Sequence, residues 1–200
     1  MRAEVRLEIS DAAFINGFEG GEFKPEKFIT RAEMATILAR ITGHVADISN
    51  VSSFEDVAKD YWAAEAIAKA SSIGLINGYD NGTFKPEQPV TRAEMAELAM
   101  RIHGSEAAPG AGFSDTIGNW AESSIRAAQG AGYIQGYLDG TFRPEQELTR
   151  AEAVVILNRA IDRKPISGEF NSMWVDVPNN YWAARDLAAA SKSLDKVKHE

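Results

Sequence analysis

Three stretches of this chain are copies of one another, and that repetition limits the fold more than any other feature. FINGFEGGEFKPEKFITRAEMATILARI from Phe14, LINGYDNGTFKPEQPVTRAEMAELAMRI from Leu75 and YIQGYLDGTFRPEQELTRAEAVVILNRA from Tyr133 align residue by residue. Gly17, Gly78 and Gly136 are spaced 61 and 58 residues apart, as are Thr30, Thr91 and Thr149, so every change of length falls between units. A unit of this size cannot bury a core alone, and neighbouring copies must supply the missing surface. The intervening segments HVADISNVSS, HGSEAAPGAG and DRKPISGEFNS read as loops by composition.

A second repeated block leads into each glycine: FEDVAKDYWAAEAIAKASSIG from Phe54, FSDTIGNWAESSIRAAQGAG from Phe113 and WVDVPNNYWAARDLAAASKS from Trp174. Trp62 and Trp120 each stand 16 residues before their glycine, and the same distance before Gly17 reaches Met1. The first unit therefore lacks its lead-in block, while the block around Trp182 has no glycine turn after it. Residues 3–13 and 183–191 both read as the helix that follows such a block. Two arrangements are open. The C-terminal block either closes a ring beside the first unit, supplying Trp182 and Asp176, or swaps into a neighbouring molecule to give a dimer.

Start and stop signals give the local structure. Asp60, Asn119 and Asn180 are N-cap candidates, with Glu122 completing a capping box, so a helix is predicted to start at each tryptophan. It is predicted to end near Gly78 or Gly136 at a positive φ. The Asp-Asn-Gly and Leu-Asp-Gly triplets then turn, and Phe-Lys-Pro or Phe-Arg-Pro forms a short extended arm. A second helix opens at Thr30, Thr91 and Thr149, with Met34, Ile37, Leu38 and Ile41 forming one apolar face.

Within TRAE, Thr and Glu are explained by the reciprocal capping box, and Ala32, Ala93 and Ala151 by close packing. Arginine is the wrong charge for a first helical turn, where the dipole favours anions. Its presence as Arg31, Arg92 and Arg150 admits two readings: an inter-repeat bridge, or an anion site made with free N–H groups at the helix start. On the second reading, replacing Arg92 leaves helicity and melting temperature nearly unchanged. The aromatics also admit two readings. Trp62, Trp120 and Trp182 are hub residues or ligand-facing rings, with Trp62 and Trp120 expected to be largely buried. Tyr79 and Tyr137, after the turn glycines, suit the face of a sugar, and Phe18 stands in their place in the first unit.

Other chemistries lack their residues. There is no cysteine, no GxSxG, Walker A or dinucleotide fingerprint, and no catalytic residue or cofactor is expected. Asp80 and Asp139 resemble a calcium loop only superficially, because Thr91 stands where a bidentate glutamate belongs, and no metal site is expected. His44, His103 and His199 have no second ligand at helical spacing. Glu55 and Asp56 are explained by capping or hydrogen bonding in the lead-in loop. With 21 basic against 29 acidic residues, a net charge of −8 disfavours nucleic acid and anionic membrane partners. No apolar run is long enough to span a membrane, and MRAEVRLEIS has no basic-then-apolar leader pattern.

The combined pattern F-x-D-V, W-A, G-Y, D-G-T-F-K/R-P and T-R-A-E closely resembles the S-layer homology domain. The resemblance implies an all-α fold of mainly helical repeats, a three-pronged spindle with a pseudo-threefold central helical hub. It implies one module over 1–200, made of 1–42, 54–103, 113–162 and a C-terminal half repeat at 170–192. It further implies a non-enzymatic anchor at the bacterial cell surface that binds secondary cell-wall polysaccharide, typically through a pyruvylated amino sugar. Its ligand arginine maps onto Arg31, Arg92 and Arg150, and its inter-repeat groove onto Gly17, Gly78 and Gly136 with Tyr79 and Tyr137. A structural spacer or protein-interaction array without glycan binding is the alternative.

Overall fold

The computed structural model of the chain describes residues 9–43, 54–104 and 108–192. Among them are six helices and no strand: α1 Arg31–Ile41, α2 Ala64–Ser72, α3 Arg92–His103, α4 Glu122–Gly130, α5 Arg150–Ala160 and α6 Ala184–Ala190. None is long and apolar enough to cross a membrane. The predicted loop at 44–53, the N-terminal residues 3–8, and His44 and His199 lie outside the described residues.

Helices α1, α3 and α5 begin as the sequence predicts. Thr30, Thr91 and Thr149 each accept from the N–H of the following glutamate, and Glu33, Glu94 and Glu152 return the bond to the threonine N–H. The apolar face is buried throughout, Met34, Leu38, Met95 and Leu157 completely. Each of these helices packs on the helix of the next lead-in block, α1 on α2, α3 on α4 and α5 on α6, and α3 also meets α5.

The lead-in helices depart from prediction at both ends. They start two residues after the tryptophan, with Ala63, Ala121 and Ala183 as N-caps that carry no side-chain bond. Two successive tight turns precede each helix, such as Tyr61 N–H to Ala58 C=O and Ala64 N–H to Tyr61 C=O. Asn119 and Glu122 cap these turns, accepting from Ala121 N–H at 2.9 Å and Gly118 N–H at 2.7 Å. The positive φ that ends α2 and α4 belongs to Gly74 and Gly132, at 73° and 77°. Gly78 and Gly136 have no positive φ; they are glycine for want of space. A Cβ would stand 2.2 Å from Trp174 at Gly17, 2.2 Å from Phe54 at Gly78 and 2.1 Å from Phe113 at Gly136. The aromatic that opens each lead-in block thus lies against the turn glycine.

The arms close the molecule on itself. Ile29 N–H donates to Leu148 C=O, Leu148 N–H to Val90 C=O and Val90 N–H to Ile29 C=O, at 3.0, 2.9 and 2.9 Å, a cycle of three bonds among buried residues. Isolated antiparallel bridges flank it. Each arm is pinned from outside by the lead-in aspartate. Asp56 accepts from Phe84 and Lys85 N–H, Asp115 from Phe142 and Arg143, and Asp176 from Phe23 and Lys24, all within 2.8 Å. Those bonds hold Lys24, Lys85 and Arg143 at φ of 57°, 55° and 59°, left-handed backbone immediately before proline. Asp56 thus has the hydrogen-bonding role expected of it.

The C-terminal block closes the ring within one chain. Besides Asp176, Phe14 N–H donates to Ala190 C=O at 3.0 Å, and Arg163 donates to the carbonyls of Ser10, Ala12, Ala189 and Lys192. Residues 9–13 are not helical. Trp182 serves the third unit, not the first, because α6 packs on α5.

The tryptophans overturn an expectation. Trp62, Trp120 and Trp182 are 61%, 63% and 60% exposed, whereas Ala63, Ala121 and Ala183 beside them are buried. The alanine takes the core position at the head of each helix and turns the indole outward.

Candidate functional site

Three grooves lie between neighbouring units. The first combines the Gly17 turn and Phe18 with Glu33 and Arg40 of α1, Trp62, and Arg150 from the third unit. The second combines Gly78 and Tyr79 with Glu94 and Arg101 of α3, Trp120, and Arg31 from the first unit. The third combines Tyr133 and Gln135 with Glu152 and Arg159 of α5, Trp182, and Arg92 from the second unit. Each groove therefore draws on two units and a following lead-in block, and the first exists because the ring closes.

The TRAE arginines bridge units, and they do so deep in the interface. Arg31 donates Nε–H to Phe84 C=O at 2.8 Å and a terminal N–H to Asn77 C=O at 2.6 Å. Arg92 does the same to Phe142 and Gln135 at 2.7 and 2.8 Å, and Arg150 to Phe23 and Asn16 at 3.1 and 3.0 Å. Burial pulls the Arg92 and Arg150 guanidinia below the ordinary arginine value. The helix-start N–H groups are likewise committed. Arg31 and Ala32 donate to Gln88 and Pro86 of the next arm, Arg92 and Ala93 to Gln146 and Pro144, and Arg150 and Ala151 to Lys27 and Pro25. An anion site built from free helix-start amides is therefore overturned: the neighbouring arm occupies them.

What faces each groove is the remaining guanidinium edge and the second oxygen of the capping glutamate. Arg31 meets Glu94 at 2.9 Å, Arg150 stands 3.6 Å from Glu33, and Arg92 forms no ion pair among the described residues. Tyr79 lies over Arg31 at 4.8 Å, with its hydroxyl bonded to Glu94 and Gln88. Burial raises its pKa, and Glu94 adds to that against the pull of Arg31. Phe18 stacks on Arg150 at 4.7 Å and offers no hydroxyl. Gly136 and Tyr137 do not line the third groove; Tyr137 reaches it only by stacking 5.0 Å from Arg92.

Two sets of residues escaped the sequence reading. Arg40, Arg101 and Arg159 stand nine residues after the TRAE arginines, a constant spacing that was there to be read, and all three line grooves. The glutamate of each Lys/Arg-Pro-Glu arm latches the lead-in block, Glu87 to Tyr61 at 2.5 Å, Glu26 to Tyr181 at 2.6 Å and Glu145 to Asn119 at 3.3 Å. Burial together with Glu87 pushes the Tyr61 hydroxyl up to about 12. Among the described residues no three His, Cys, Asp or Glu side chains gather as a metal site.

The S-layer homology domain family profile matches residues 8–35, 53–96 and 112–154. Cell surface glycoprotein 1 of Acetivibrio thermocellus is 40% identical over 191 residues, covering 88% of this chain and 8% of that protein. The cellulosome-anchoring protein of the same organism is 39% identical over 188 residues, 88% of this chain and 41% of that protein. The surface layer protein of Brevibacillus choshinensis is 32% identical over 154 residues, 73% of this chain and 14% of that protein. The chain thus spans less than half the length of each of these curated relatives.

Proposed function

The chain belongs to the S-layer homology domain family, and from that premise we propose that it anchors a protein non-covalently to the bacterial cell wall. Its partner on this reading is an anionic secondary wall polysaccharide, gripped through a pyruvylated amino sugar in the inter-repeat grooves. The observation that carries the reading is the threefold recurrence of an outward-facing tryptophan beside a guanidinium-lined groove. An indole 60% exposed contributes little to folding, and its face suits the apolar side of a sugar ring. The groove arginines suit the ketal carboxylate. The names of the relatives, which speak of cell surface, surface layer and anchoring, favour a location at the cell surface.

The spacer reading draws on the buried arginine bridges, which act as mortar between units. It leaves the exposed tryptophans without a role. Co-sedimentation with purified cell wall, before and after chemical removal of pyruvyl groups, separates the two readings. Anchoring through the ketal predicts loss of binding after removal. Equal sedimentation with both walls contradicts it, and no sedimentation with either supports the spacer.

A further inference from the structure

The three grooves are built alike but are not charged alike. In the second, Arg31 and Arg101 face Glu94 and Glu97, two guanidinia against two carboxylates. Glu97 holds Arg101 by Nε at 3.1 Å and a terminal nitrogen at 3.0 Å, and its other oxygen accepts from Ser124. The same helix position carries Thr36 in the first groove and Val155 in the third. Among the described residues Arg40 and Arg159 bond backbone carbonyls alone, those of Phe14 and Tyr133 at 3.4 and 3.3 Å, whereas Arg101 adds Glu97 to the matching bond with Leu75 C=O at 3.3 Å. Asp186 is near Arg159, but it bonds Asn158 and lines a neighbouring cavity rather than the groove. Glu33 of the first groove is further offset by Lys27, at 2.7 Å.

We propose that Glu97 sets a division of labour: the first and third grooves take the anionic sugar, and the second is a poor anion site. This rests on the glycan reading above. A second carboxylate a few ångströms from a bound anion repels it, and in a solvent-facing groove that is worth about fivefold or more in affinity. It also occupies the guanidinium that would otherwise pair with the ligand.

Each groove carries its own reporter, since three of the four tryptophans line one groove each. The chain is labelled with 5-fluorotryptophan, its resonances are assigned by single Trp→Phe substitutions, and it is titrated with the methyl glycoside of a pyruvate-ketal N-acetylhexosamine. The proposal expects Trp62 and Trp182 to respond at about fivefold lower concentration than Trp120. Glu97→Gln brings Trp120 into the same range, and Thr36→Glu moves the Trp62 midpoint upward. Without the ketal, the sugar discriminates among grooves no longer. Equal midpoints at all three tryptophans, or a Trp120 midpoint unmoved by Glu97→Gln, overturn the division while leaving the glycan reading intact. A ketal sugar that perturbs no tryptophan overturns the glycan reading and the division together.

Discussion

Arg92 shows how one side chain is tied to two levels of organisation. Its guanidinium is buried and bonded to carbonyls of Phe142 and Gln135, 50 and 43 residues away. Truncation to alanine leaves both carbonyls without their donor, a loss of about 3 kcal/mol. Arg92→Ala is therefore expected to lower the urea midpoint substantially, and Arg92→Lys to recover only part of it, because an ammonium cannot span both carbonyls. This reverses the sequence expectation of an unchanged melting temperature. A charge opposed to the helix dipole was readable locally; the carbonyls that repay it were not. Gly78 carries the same lesson. A Cβ there would meet Phe54 at 2.2 Å and the Thr83 carbonyl at 2.8 Å, so Gly78→Ala is expected to cost about 1–3 kcal/mol in equilibrium unfolding. Its backbone is unremarkable in φ, and only the distant aromatic explains it.

At the scale of the element, local signals were sufficient wherever the bond was local. The Thr-x-x-Glu boxes, the apolar face of α1 and the proline-broken arm were all legible. The lead-in helices were misread at both ends because two tight turns precede them, and because Ala63, not Trp62, takes the core position. The periodicity of Trp-Ala-Ala cannot say which residue turns inward. The arm itself depends on the aspartate of the lead-in block. Burial would raise the Asp56 pKa, but the Phe84 and Lys85 N–H groups outweigh it and hold the carboxylate below its ordinary value. A depressed folded pKa stabilises above the unfolded value, near 3.8, and that stabilisation is lost as pH falls through the folded one. Stability measured by denaturant melts is thus expected to decline below about pH 4. Asp56→Asn is expected to flatten that decline, as well as to lower stability at neutral pH.

The whole molecule is a ring whose last block docks on its first unit. That closure was legible as one of two arrangements, from the half-unit offset between lead-in blocks and TRAE helices. Which arrangement holds depends on contacts more than 150 residues apart, which no local pattern encodes. With α3 touching α4 and α5, and the arms bonded in a cycle, calorimetry is expected to record one cooperative transition rather than one per unit. Deleting 170–200 would injure both the first arm and α5, so the cleaner lesion is a single carboxylate. Amide hydrogen exchange of Asp176→Ala, set beside Asp56→Ala, tests the closed ring most directly. The account predicts exchange at least about tenfold faster in residues 14–40 for Asp176→Ala, and in residues 75–100 for Asp56→Ala. Exchange in residues 14–40 that is unchanged by Asp176→Ala would mean that the C-terminal block does not hold the first unit, and would contradict the closed ring.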